Sequence, residues 1–115
     1  MRLVLDPDGD AEVLASEVDT ADSILAQTRG LMFRRSIPDD YALAFRFRRA
    51  KTRDVHMLFV PFSIDVVWIV DDRVRRIERL RPWIGYAREK CDLLVELPAG
   101  AADGLSVGDE LVLEE

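Results

Sequence analysis

The sequence predicts a mainly β fold: a small antiparallel β-sandwich or partly open barrel with one short helix near residues 20–29. Three observations carry this. Short apolar runs of strand length recur along the chain, several with the alternation of a half-buried strand. Turns rich in Pro, Gly and Asp separate them. Only one stretch has helical spacing, so strand follows strand with little helical crossover, and the pairing must be mostly antiparallel.

Residues 3–5 form a first short strand, and Asp6-Pro-Asp-Gly-Asp10 a turn with Pro and Gly at turn-favoured places. Residues 12–18 return as a second strand. Asp19 or Thr20 can cap the helix, and Asp22 sits in its first turn, where the dipole favours negative charge. Ala21, Ile24, Leu25 and Thr28 give its apolar stripe, Arg29 its last turn and Gly30 its C′ position. Leu31-Met-Phe33 follows as an apolar anchor, then the turn Ile37-Pro-Asp-Asp40. Tyr41, Leu43, Phe45 and Phe47 alternate with Ala42, Ala44, Arg46 and Arg48, which is strand periodicity. Residues 48–53 read as a basic connection. Residues 55–60 and 64–70 read as two apolar strands around a turn containing Pro61, and Asp71-Asp72 as a tight turn into an Arg-rich strand over 73–80. Residues 81–86 form a loop, 91–97 a strand, 98–105 a loop or helical turn, and 110–113 a last strand after Gly108-Asp109.

At 115 residues, 49% of them apolar, the chain is long enough for one domain spanning 1–115 that needs no staples. No apolar run is long enough to span a bilayer, and the N-terminal Met-Arg-Leu-Val-Leu-Asp-Pro-Asp has no signal-like apolar region. The expectation is a cytoplasmic protein with no membrane partner. One cysteine, Cys91, forbids an intrachain disulfide and fits a reducing compartment. Of the 22 acidic residues 14 are Asp, and of the 16 basic residues 14 are Arg. An Asp-rich, Lys-poor surface suits concentrated salt, where screening removes ordinary charge repulsion, and reads as halophilic. A GC-rich genome also favours Arg over Lys, but it accounts less well for the acid excess. Residues 1–45 carry net −5, residues 46–88 net +6 and residues 89–115 net −7. The basic middle reads as complementarity between neighbouring strands; a nucleic-acid face is the sharper alternative, and high salt would weaken it steeply.

The segment from Val55 to Trp68 holds the sole histidine, His56, and the carboxylate Asp65 among apolar residues. Such groups must be hydrogen-bonded core residues or form a site. In a direct hairpin with Val60 opposite Ile64, His56 faces Trp68 and Asp65 points to the other side. With Val60 opposite Ser63 the parity flips and both share a face, which alone permits a His–Asp dyad. One His and one Cys with no ligand spacing argue against a metal, and no cofactor motif is present. Cys91 reads as an inert buried thiol. Trp68 reads as core, and Trp83, after Pro82 in a loop, as a cleft mouth or a cap.

Five strings in order carry a resemblance: Arg29-Gly-Leu-Met-Phe-Arg34, His56-Met-Leu-Phe-Val-Pro-Phe-Ser-Ile-Asp65, Arg81-Pro-Trp83, Glu96-Leu-Pro-Ala-Gly100 and Gly108-Asp109. The chain resembles the uncharacterised domain-of-unknown-function family 192, in a form similar to archaeal, haloarchaeal-like members, over roughly residues 15–113. The resemblance implies a jelly-roll-like β-sandwich and no defined chemistry. Many bacterial members carry Trp-Met and Asn-Thr where this chain has His56-Met57 and Val60-Pro61, so a role of that polar pair would not carry over.

Three functions are consistent with these residues. The first is a binding domain for a polar or anionic small ligand in a cleft near Arg34, His56, Asp65 and Trp83. The second is an enzyme, a hydrolase or isomerase, with His56 as base and Asp65 as its orienter. The third is nucleic-acid binding through the basic residues Arg46, Arg48, Arg49, Lys51 and Arg53, without the aromatic signature of an RNA module.

Overall fold

The computed structural model describes residues 1–21 and 30–115. Its strands are β1 (Arg2–Leu5), β2 (Glu12–Ala15), β3 (Glu17–Thr20), β4 (Tyr41–His56), β5 (Ile64–Val70), β6 (Arg73–Leu80), β7 (Tyr86–Pro98) and β8 (Leu111–Glu114). They form a three-stranded sheet in the order β2-β1-β8 and a five-stranded sheet in the order β3-β4-β7-β5-β6. The pairing is antiparallel throughout except for β3 on β4, which is parallel. The fold is the open two-sheet arrangement, and neither sheet closes into a barrel. Most of the predicted helix, residues 22–29, lies outside the described residues; its first position, Thr20, belongs to β3.

The segment predicted as one strand over 12–18 is two strands that belong to different sheets. The switch falls at Ser16, whose backbone N–H donates to Asp40 Oδ1 at 3.1 Å and whose hydroxyl also bonds the Asp40 carboxylate. The Glu17 N–H donates to the Asp40 carbonyl. Asp40 thus fixes the corner where the chain passes from one layer to the other.

Each face of the large sheet has its own core. Leu3, Ala15 and Leu111 of the small sheet pack on Ala42, Ala44, Val67, Ile69, Val95 and Leu97. The opposite face carries Leu43, Phe45, Ile64, Val66, Trp68 and Leu94, covered by Leu31, Met57 and Val60 from loops. Burial on both faces explains why β5 reads as a continuous apolar run instead of an alternation.

The predicted hairpin of residues 55–60 with 64–70 does not form. Val55 and His56 end β4 and pair with Ala87 and Tyr86, while β5 pairs with β6 and β7. Residues 57–63 are a loop with a turn at Leu58 and Phe59. Pro61 has no N–H to donate to a ladder, and Phe59 has φ +62, incompatible with a strand. Neither register considered for that hairpin therefore applies. The predicted basic connection over 48–53 is also strand: β4 runs on to His56, with a bulge between Arg46 and Lys51. The Asp71-Asp72 turn is as predicted. Both residues have positive φ (+49 and +65) and join Val70 to its partner Arg73, the two-residue turn whose twist suits a hairpin.

Candidate functional site

A cleft of about 410 Å³ opens over the loop-covered face of the large sheet, between Gly30–Met32 and the C-terminal residues 52–56 of β4. Glu96 lies in its lining. This residue sits on β7, with strands on both sides: it is opposite Leu43 of β4 and Val66 of β5. Strand alternation puts Leu94 and Glu96 on the cleft face and Val95 and Leu97 on the other. Glu96 is only 7% exposed. Loss of water pushes its pKa up to about 7, and the positive charge of Arg34 offsets this only in part. No described residue forms a hydrogen bond with it. Gly30 has φ +51, a backbone that favours glycine, and borders the carboxyl: a Cβ there would make ordinary contact with Glu96 Oε1 at 3.6 Å.

Arg53 is the second group. Its guanidinium lies 3.6 Å over the centroid of the Phe47 ring, and Nη2 donates to the Arg49 carbonyl at 3.3 Å. Its Nε–H is buried with no partner. The backbone here is pinned by the fully buried Trp68, whose Nε1–H donates to the Arg53 carbonyl at 3.1 Å. His56, at the rim, accepts the Leu58 N–H on Nδ1 at 3.3 Å. In the neutral ring the proton is therefore on Nε2, which remains available as a donor. Together the cleft offers a carboxyl that can accept or donate, an unpartnered Arg N–H and an imidazole N–H.

Of the four residues grouped on sequence grounds, the structure puts only His56 in this cleft. Arg34 lies 5.2 Å over the Tyr41 ring, lining a neighbouring depression with Asp19, and reaches Glu96 through charge alone. Tyr41 donates its hydroxyl to Asp19 at 2.9 Å; burial first, then this bond, push its pKa up to about 12. Trp83 is half exposed in its loop, in edge contact with Phe59. Asp65 belongs to the other face of β5. Its Oδ1 accepts Arg79 Nε at 2.8 Å, and its Oδ2 accepts Arg79 Nη2 at 3.3 Å and the N–H groups of Gly100 and Ala102 at 2.9 and 3.1 Å. It is a buried carboxylate fully occupied in tying the 98–105 loop to β5 and β6, and no bond joins it to His56.

The sequence reading missed Glu96. The signal existed: a carboxylate between Val95 and Leu97 in an apolar strand, the same pattern that drew attention to Asp65. Cys91 is buried, and burial pushes its thiol up to about 12. Arg46, Arg48, Arg49 and Lys51 are exposed around the bulge of β4. Among the described residues, no three His, Cys, Asp or Glu side chains cluster as metal ligands.

The model of the DUF192 family, described as "Uncharacterized ACR", matches residues 4–113. The chain belongs to the DUF192 family. An archaeal relative, the UPF0127 protein of Thermococcus sibiricus (strain DSM 12597 / MM 739), is 34% identical over 107 residues, 87% of this chain and 68% of the relative. Among solved structures, a protein of Sinorhizobium meliloti 1021 named as a candidate transcription regulator superposes with a TM-score of 0.82. It is 25% identical, over 96% of this chain and 91% of that one. A protein of unknown function from Novosphingobium aromaticivorans DSM 12444 superposes with a TM-score of 0.83 at 19% identity, over 98% of this chain and 84% of that one. The two-sheet architecture of this DUF192 chain is thus that of solved proteins.

Proposed function

We propose that the chain is a small β domain that holds a polar or anionic small molecule in the cleft over the outer face of its large sheet. One observation supports this above all: Glu96, a buried carboxyl that no described residue bonds, lines one cleft with Arg53, whose buried Nε–H has no protein partner. Buried polar groups are nearly always satisfied, so an unpartnered pair in a concave site suits a ligand that completes them. Its anionic or carbonyl end would meet Arg53 and His56 Nε2–H; its hydroxyl or amine would meet Glu96. Arg34 would act from a distance, by its field, and Asp65 and Trp83 fall outside this cleft.

A thermal-shift screen over small hydroxy acids, amino acids, sugars and inorganic anions tests the reading. A compound at a hundredfold excess over its Kd stabilises the native state by about 2.7 kcal/mol. The stabilisation should vanish in Glu96→Gln and His56→Ala while Trp83→Phe keeps it. If no compound shifts the wild type, or if hits are indifferent to both cleft variants, the reading is wrong.

The second reading is an enzyme, favoured by the near-neutral pKa of Glu96 in a cleft that the His56 imidazole also lines, two groups suited to proton transfer. Here Glu96 takes the place given on sequence grounds to Asp65. Turnover lost in Glu96→Gln with ligand affinity retained would distinguish this from simple binding.

The Asp-rich, Arg-over-Lys composition supports a protein adapted to concentrated salt, and the lone buried thiol supports a reducing, cytoplasmic setting.

A further inference from the structure

Three loops bring apolar side chains into solvent side by side. Phe33 is 63% exposed, Leu58 54%, Phe59 46%, Trp83 50% and Ile84 74%. The Phe33 and Phe59 rings stack with centroids 4.9 Å apart, and Phe59 meets Trp83 edge-on at 5.7 Å. Backbone bonds tie the loops: the Phe33 N–H donates to the Phe59 carbonyl at 2.8 Å, and the Trp83 N–H to the Val60 carbonyl at 3.1 Å. All three aromatics have positive φ (+68, +62 and +66), a conformation bulky residues rarely adopt. An unusual backbone repeated three times, each time under an outward ring, belongs to a built surface and not to scattered exposed residues.

The charge carried by the three loops themselves has one sign, although Asp54 of β4 accepts the Tyr86 hydroxyl at their margin. Residues 30–37, 56–63 and 80–86 contain Arg34, Arg35, His56 and Arg81 and no Asp or Glu, in a chain whose net charge is −6. We propose that these three loops dock the protein onto a bilayer surface bearing anionic headgroups, with the five apolar side chains entering the interface and the arginines meeting the headgroups. Trp and Phe favour the interfacial zone, and Lys or Arg near it are drawn to anionic lipid. The chain has no membrane-crossing helix among its described residues, so this is attachment to a surface and not a span. Leu58 and Ile84 argue for lipid over single-stranded nucleic acid, because an aliphatic side chain gives a base nothing to stack on. The absence of any acidic residue in these segments argues against a second copy, whose own arginines would be brought against these.

Vesicle flotation at low salt tests the proposal, with phosphatidylcholine alone and phosphatidylcholine mixed with phosphatidylglycerol. Tryptophan emission is the second readout. Trp68 is fully buried, so a blue shift on binding reports Trp83. The protein should float with the anionic vesicles, not with the neutral ones, and its emission should shift to the blue. Leu58→Ser/Ile84→Ser, both on exposed side chains, should weaken binding by about tenfold or more. Arg35→Gln/Arg81→Gln should weaken it at low salt and leave little further salt dependence. Near-UV circular dichroism from Trp68 checks that each variant is folded. No flotation, equal flotation with neutral vesicles, or flotation unchanged in the serine variant each overturns the proposal. So does displacement from vesicles by a single-stranded RNA oligomer, or a dimer in solution that the serine variant dissociates.

Discussion

Replacing Glu96 by Gln should change how stability depends on pH. The carboxyl is held in the native state with a pKa of about 7, against 4.5 for an unburdened glutamate. Between those values the unfolded chain has released the proton while the native protein keeps it. Stability therefore falls as pH rises through this window, and the loss is complete above the native pKa. At about 1.4 kcal/mol per pH unit of difference, the ionised carboxyl costs the empty cleft about 3 kcal/mol at pH 8. Gln has the same shape and no charge to bury. At pH 4 the variant and wild type should match within about 1 kcal/mol, the scale of a changed hydrogen bond. At pH 8 Glu96→Gln should be more stable by about 3 kcal/mol. Urea denaturation at a series of pH values from 4 to 9, followed by tryptophan fluorescence, gives the two curves. Parallel curves would refute the reasoning, because they would mean that the carboxyl is solvated or paired in the native state. A ligand that satisfies Glu96 should shrink the difference.

Other substitutions and conditions have equally definite outcomes. Asp65→Ala would strand the Gly100 and Ala102 N–H groups and release Arg79 from the buried carboxylate, costing about 3 kcal/mol in urea midpoint measurements. The same substitution should leave cleft binding intact. Cys91 should be inert to a thiol reagent in the native protein at neutral pH and react fully once unfolded, since it is buried and its thiol is raised to about 12. The melting temperature should rise with potassium chloride into the molar range, as screening relieves repulsion in a chain of net charge −6; a fall would refute the reading of its composition as salt-adapted.

Where local chemistry decided structure, the sequence was legible. The strand of residues 73–80 and the Asp71-Asp72 turn follow from strand periodicity and turn preference, and both stand as predicted. Trp68 lies in the core as its apolar neighbours implied. The misread elements are those set by distant partners. Residues 57–63 are apolar because they roof a core, not because they lie in a sheet, and apolar content alone cannot separate the two. The second half of β4 is basic because its bulged, outward residues meet solvent, which hides a strand behind the composition of a loop. For the site, one residue of the four was placed in the cleft. The pairing of His56 with Asp65 depended on a hairpin that does not exist. Asp65 and Glu96 look alike in sequence, each a carboxylate in an apolar strand. Only the third dimension shows that one meets two backbone N–H groups and an arginine while the other meets an open cleft.

The small sheet joins segments far apart in sequence: β1 lies between β2 and β8, with Arg2 opposite Glu114. Its closure must wait for a long loop to be brought in, which makes it a slow step in folding. Until then the inner face of the large sheet, with Val67, Ile69, Val95 and Leu97, lacks the cover of Leu3, Ala15 and Leu111. That interval is when the chain is most exposed to aggregation, and substitutions that weaken β8 should lower the yield of refolding more than they lower the stability of the finished protein.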